Sequence, residues 1–414
     1  MHGKSPARAS ARRRTFYGWY VAYGLMVVST MTAGLLFYNV AVLLEAFVAE
    51  RGFPVGLASV ATGLFFVASG VAGLLVGQII NRVDARKIIV VSAAVTALAL
   101  ASVGFLRTPA ELIAFYVVLG FCYGGCGLVT ASTIVARWFD AKRPQALSVA
   151  NTGLSLGGIL ITPFAAYFIK AYGLAAAGPW LGAIFFLGVV PVTLLFVRAS
   201  PHDMGLRPDG AEAMPGVAGG TPLAGISFSK AWKSRFFAAV TLAYVFSLGA
   251  QVGAIAHIFR LVVTRADAEL AALAVALLAG TSLVGRLVAG QLLTKISARA
   301  FTIALMANQS MALAFLAFAE TRAALLVGVA LFGVTVGTIL MMHQLLIAEA
   351  FGSREYGRIY SVSQLVTVIG VAAGPALIGF IFVASGGYEW PYLATAVSTL
   401  LGATILMLAG PARR

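Results

Sequence analysis

The chain has 414 residues, is 60% hydrophobic and only 10% charged, and has a mean hydropathy of +0.95. A soluble globular chain carries about 25% charged residues, so a soluble enzyme or binding module is excluded and a polytopic membrane protein is expected. The formal net charge of +15 would point to nucleic acid in a soluble domain, but its distribution along the chain points to a bilayer.

Twelve apolar runs are predicted to cross the membrane: 16–44, 54–80, 88–106, 110–136, 146–170, 178–198, 235–262, 268–294, 300–319, 323–350, 357–385 and 389–410. Each is near or above the ~20 residues a tilted helix needs. Backbone groups in lipid must be satisfied internally, so the spans are expected to be helices. With the first 15 residues taken as a basic cytoplasmic tail, 22 of the 29 lysines and arginines fall on the inner side, six on the outer side and one inside a span. That bias follows the positive-inside rule and predicts both termini cytoplasmic, in a multi-pass protein of the cell's inner (cytoplasmic) membrane. The run 16–44 is too long for the ~7–15-residue core of a signal peptide and reads as the first span.

In chain order, the first span carries Tyr38 and Asn39 deep in its apolar run, and the fourth carries Tyr123 two turns after Tyr116. Buried tyrosine and asparagine need hydrogen-bond partners in a membrane, so a cavity wall or a bond between helices accounts for them. Cys122 and Cys126, one turn apart in the fourth span, are expected to be free packing residues, since two thiols alone make no zinc site. Asn151 in the fifth span and Gln364 in the eleventh are further candidates for the pore. No phosphate-binding glycine loop, zinc motif or nucleophile elbow occurs, so neither an enzyme nor a cofactor nor a metal is expected. Residues 199–234, with Pro201, Pro208, Pro215, Pro222 and the glycines of 216–220, read as a flexible linker between the halves 16–198 and 235–410.

The eighth span contains Arg286, with Thr281 and Ser282 as its nearest polar neighbours in sequence. An arginine at the centre of a membrane helix costs about 2.5–3.5 kcal/mol on insertion scales, and its pKa is too high for ready deprotonation. All fourteen acidic residues lie in loops or near span ends, Glu45 and Glu349 coming closest to the interior. A clamp on backbone carbonyls or an anionic substrate is left to satisfy the guanidinium, and the substrate is the favoured reading. His257, near the outer end of the seventh span, and His343, in the tenth, are candidate proton relays, since imidazole titrates near pH 6.5. Inert hydrogen-bonded histidines are the alternative.

The two halves repeat. GQIINRVDAR (77–86) pairs with GQLLTKISAR (290–299) at a shift of 213, and Gly125, Phe139, Gly158 and Pro163 pair with Gly337, Phe351, Gly370 and Pro375 at a shift of 212. Under the first shift Arg286 falls where the N-terminal half has Gly73. A parallel repeat about an axis normal to the membrane places a substrate site near the midplane between the halves. The basic loop Gly77-x3-Asn81-Arg82-x-Asp84-x-Arg86-Lys87 is a degenerate form of the loop signature of the major facilitator superfamily, which the chain resembles over nearly its whole length. YGWYV (17–21), AHIFRLV (256–262) and GTSLVGRLVAG (280–290) make it most similar to the monocarboxylate and oxalate/formate transporter group within it.

The resemblance implies an all-α membrane protein with twelve helices in two pseudo-symmetric six-helix halves. It also implies that Arg286 binds a substrate carboxylate. Two positions depart from that group's pattern: Ser282 stands where many monocarboxylate members have an acid, and YSVSQ (360–364) offers Ser363 and Gln364 where oxalate exchangers have a second cation. One buried cation suits a monoanion. The expected function is secondary active transport of a small organic anion by alternating access, coupled to protons. Arg286, Tyr38, Tyr123, Asn39, Asn151 and Gln364 would line the site, and His257 and His343 are the coupling candidates. A dicarboxylate or formate exchanger, a drug/proton efflux transporter and, last, a non-transporting sensor are the alternatives. The expected partners are the anion, protons and the lipid bilayer, with no nucleic acid.

Overall fold

The computed structural model describes residues 16–210, 224–293 and 295–410. The basic tail 1–15 and the glycine-rich centre of the linker (216–220, with Pro215 and Pro222) lie outside them. The spans are α1 (Gly18–Arg51), α2 (Val55–Ile79), α3 (Ala85–Ser102), α4 (Pro109–Trp138), α5 (143–172), α6 (174–196), α7 (Arg235–Arg265), α8 (Ala268–Leu292), α9 (Ala298–Phe318), α10 (Arg322–Phe351), α11 (Tyr356–Ser385) and α12 (Glu389–Leu408). Among the described residues, eleven continuous helical stretches are long and apolar enough to cross a membrane. One of them, Arg143–Phe196, is broken at Gly173, where φ is 77° and ψ 161°. That left-handed backbone favours glycine, and it turns α5 back into α6, giving twelve passes. The Glu50 carboxylate accepts the Leu174 amide at 2.8 Å and pins the turn to the end of α1.

Helix starts follow local chemistry. Thr108 and Glu111 form a reciprocal capping box ahead of α4, with Pro109 at the first helical position. Asp84, Ser234, Asp267 and Thr321 each accept a backbone amide at the start of α3, α7, α8 and α10. Asp84 also pairs with Arg86 at 2.7 Å. Partial burial pushes its carboxyl up, but the bonds to Arg86 and the nearby Lys87 outweigh this and hold it below the usual carboxylate range.

Three packing relations recur in the two halves: α1 on α5 and α7 on α11, α2 on α4 and α8 on α10, α3 on α6 and α9 on α12. The Gly/Pro pattern of α11 serves one of them. Gly370 and Gly374 sit against the backbones of Val245 and Gly249 in α7, where any side chain would collide. The halves meet along two seams, α2 against α11 and α5 against α8. Gly63, Gly70 and Gly77 are seven residues apart and so share one face of α2. A side chain at Gly77 would collide with Ser361 and Gly357 of α11, one at Gly70 would stand 3.1 Å from Leu365, and one at Gly63 would meet nothing within 4 Å. The halves therefore touch at the face that carries residues 16 and 410 and diverge toward the opposite face.

The two described ends of the linker are anchored. Asp209, at φ 58°, accepts the amides of Asp140, Ala141 and Lys142 at the start of α5, where a helix N-terminus favours an anion. At its other end Gly225 pairs with Gly352, the Phe228 amide donates to Glu355, and Arg358 lies 4.4 Å from the Phe228 ring centre. Each end of the linker is thus tied to a loop of one half.

Candidate functional site

Arg286 projects from α8 into the seam with α5 and is 3% exposed. Its Nη1 donates to the Asn151 carbonyl and, at 3.3 Å, to the Ser155 hydroxyl, both on α5; its Nε donates to the Gly337 carbonyl on α10 at 3.3 Å. A Cβ at position 337 would collide with the guanidinium, so that glycine makes its room. Nη2 has no hydrogen-bond acceptor among the described residues. The ion pairs among those residues are Arg86–Asp84, Arg143–Asp140, Arg265–Glu389 and Arg322–Asp267, all at the ends of helices. Arg286 is satisfied by neutral oxygens alone, and its charge is uncompensated.

Tyr38 lies within electrostatic reach of Arg286 and is 41% exposed. Its ring covers Gly158, one turn along α5 from Ser155, so the phenol and the guanidinium occupy neighbouring turns of one helix face. Local backbone irregularity sets this position. α1 has a π-helical turn at Ala33–Phe37 and α5 one at Gly157–Ile161, and the two lie against each other. The Thr162 hydroxyl bonds the carbonyls of Gly34 and Gly157 at 3.1 and 3.2 Å, bracing both turns. Such insertions occur frequently at functional sites. Phe37 follows from the same turn, 4.9 Å from the Tyr38 ring and stacked at 5.7 Å on Tyr123.

Asn151 joins the group twice: its carbonyl holds Arg286, and its amide donates to Gln344 on α10 at 2.7 Å. His343, beside Gln344, is wholly buried between Tyr244, stacked at 4.2 Å, and Tyr360, edge-on at 5.2 Å. Its Nε2 bonds the Ser363 hydroxyl at 2.8 Å, which bonds Thr241, while Nδ1 has no partner among the described residues. Gln364 is half-buried one turn beyond Tyr360, with its Oε1 unpartnered.

The remaining candidates stand apart from Arg286. Asn39 is 0% exposed with both amide atoms unpartnered, enclosed among the helices rather than open to the seam. His257 sits in the diverging part of α7, with Nδ1 3.3 Å from the Tyr388 hydroxyl and Nε2 3.2 Å from the Pro375 carbonyl. Tyr116 bonds the Val40 carbonyl and joins α4 to α1. Cys122 and Cys126 are free and buried. The sequence reading missed Phe37, Ser155 and the space at Gly337. The repeat pairs Gly337 with Gly125 and flags its position, but no sequence signal announces two facing π turns.

Comparison with known proteins agrees with this architecture. The pattern of the Major Facilitator Superfamily matches residues 26–366 and, overlapping, 266–414. Mouse Monocarboxylate transporter 11 is 28% identical over 239 residues, 56% of this chain and 48% of that protein. The MFS-type transporter YcxA of Bacillus subtilis is 26% identical over 159 residues, 38% of each chain. The matches thus span less than half the length of these two relatives. Among solved structures, the proton:xylose symporter XylE aligns with a TM-score of 0.73 at 14% identity, covering 95% of both chains. FucP, in the outward conformation, aligns with a TM-score of 0.69 at 17% identity, covering 95% of this chain and 100% of its own. The family match over most of the chain decides the identity, and the repeated helix pairings and the seam between the halves agree with it: the chain belongs to the Major Facilitator Superfamily.

Proposed function

We propose that this transporter carries a small organic monoanion by alternating access, with Arg286 as the anchor of the substrate carboxylate. The observation that carries the reading is the state of that guanidinium: buried between the halves, held by neutral oxygens, with Nη2 free of any acceptor among the described residues. A carboxylate takes two parallel N–H donors from a guanidinium and supplies the missing charge. The similarity to monocarboxylate transporters supports the same class.

The charge pattern of the loops supports a cytoplasmic position for the face at which the halves touch, which makes this the outward-open state. Substrate then arrives from outside. Its carboxylate competes with the Asn151 carbonyl for Nη1, and a bond that ties α8 to α5 is exchanged for a bond to substrate. Loss of that tie loosens the inner seam while the neutralised charge lets the outer parts approach.

We assign the coupling proton to His343 rather than His257. His343 has a nitrogen without a partner among the described residues and is the chain neighbour of Gln344, which Asn151 joins to Arg286. Tyr244 and Tyr360 pack on its ring, whereas both nitrogens of His257 are occupied.

The test is uptake of labelled monocarboxylates into proteoliposomes. Arg286→Ala is expected to abolish uptake. Arg286→Lys, a point charge without the planar fork, is expected to lose most of it. Normal uptake by both variants would overturn the assignment.

A further inference from the structure

The wall beside Arg286 is aromatic. Phe37 and Tyr38 are 37% and 41% exposed although both lie in the membrane-spanning part of α1. Phe37 is perpendicular to Tyr38 at 4.9 Å, stacked on Tyr123 at 5.7 Å and edge-on to Phe66 at 5.8 Å. Phe65 closes the group behind Tyr123 at 5.6 Å. Three helices, α1, α2 and α4, thus contribute to one continuous ring surface. Its near end is Tyr38, which shares a face of α5 with the guanidinium contact Ser155. No charged side chain belongs to it.

We propose that the substrate is an aryl carboxylate, or an acid with an equally flat π face, rather than a short aliphatic acid. The inference rests on the monoanion reading of Arg286 and specifies the substrate class of that site. A molecule with a carboxylate at one end and a flat apolar body at the other matches a surface with one cation followed by a row of rings. Aromatic rings select for flat partners because offset-stacked and edge-to-face contacts satisfy their quadrupoles, which a saturated ring of equal size does not. Acetate or lactate would leave Phe37 and Tyr38 uncovered.

The test uses the full chain in proteoliposomes with three probes: acetate, phenylacetate and cyclohexylacetate. Burying one phenyl ring is expected to place half-saturation by phenylacetate roughly ten- to hundredfold below that by acetate, and below that by cyclohexylacetate as well. Phe37→Leu, which keeps an apolar side chain without a ring, is expected to narrow the ratio between phenylacetate and acetate. Because the readout is a ratio within one preparation, a smaller amount of folded protein does not imitate it. Arg286-dependent uptake with no preference for phenylacetate over acetate or cyclohexylacetate would overturn this inference and leave the monoanion reading standing. Uptake of all three acids that is indifferent to Arg286 would overturn that reading, and this inference with it.

Discussion

The two seams between the halves are built from equivalent residues and differ in charge. Gly77 of α2 fits against Ser361 of α11, and Gly290 of α8 fits against Ser148 of α5; both members of the second pair are related to the first by the same shift of 213. One turn further into the membrane the likeness ends. α2 has Gly73, where a Cβ would touch only Val129 at 3.5 Å, and α8 has Arg286, bonded across to α5. The hydroxyls differ accordingly. Ser148 reaches over the seam to the Arg286 carbonyl at 2.8 Å, whereas Ser361 bonds Arg358 within its own helix at 3.0 Å. Steric fit at the seams is symmetric because each half is a copy of one packing unit. The charge is an addition to one copy, and in the proposed function it is this addition that gives the substrate site its direction.

The sharpest way to break the comparison is to exchange the two positions. Gly73→Arg combined with Arg286→Gly keeps the total charge but faces the guanidinium with α4 instead of Asn151 and Ser155. Removing the partner of a buried charged group costs about 2–5 kcal/mol, so uptake is expected to fall to background. Recovery of uptake would show that charge alone, without the α5 acceptors, suffices.

His343→Gln tests the asymmetric half further. Uptake driven by an imposed pH gradient is expected to be lost while exchange of substrate across the membrane persists. His257→Gln is expected to keep its response to the gradient. The opposite pattern would move the proton to α7.

Gly77→Leu and Gly290→Leu test the symmetric part. Each overpacks one seam at a cost of about 1–3 kcal/mol, borne only while the terminal face is closed. Labelling of a cysteine introduced at Gln145 or Arg358 is expected to rise to a similar extent in both variants. A response at one seam alone would show that the two are not equivalent in the closed state.

The smallest effect is expected at Asp84, where loss of the α3 cap is worth about 1 kcal/mol. Its carboxyl is depressed in the folded protein, so its stabilisation is present above the ordinary carboxylate range and is lost as pH falls through the folded value. The melting temperature of Asp84→Ala should lie below that of the parent at neutral pH and converge with it in acid.

Much of this was legible in the sequence. The twelve apolar runs coincide with twelve helical passes, but their ends do not always agree. The first run stops at residue 44, where charges begin, whereas α1 continues to Arg51. Hydropathy locates the hydrocarbon layer, and backbone hydrogen bonding continues a helix beyond it. Arg286 was legible because a lone charge in an apolar run is expensive. Backbone carbonyls were one of the two kinds of partner the sequence allowed, but that they are those of Asn151 and Gly337 was not legible, because any residue supplies a carbonyl. Phe37 was hidden for a related reason: a π turn shifts helix phase by about one residue, so an assumed 3.6-residue period misplaces the side chains that follow it.

The sequence by itself determined the membrane class, the number of passes, the repeat and the one charge that breaks it, because each is a property of residue types and their spacing. Tertiary structure decided which side of the seams is closed, which neutral groups hold Arg286, and that its neighbours are aromatic rings. Those facts depend on how helices far apart in the chain lean on each other, and close packing between helices reads shape at a resolution that composition does not carry.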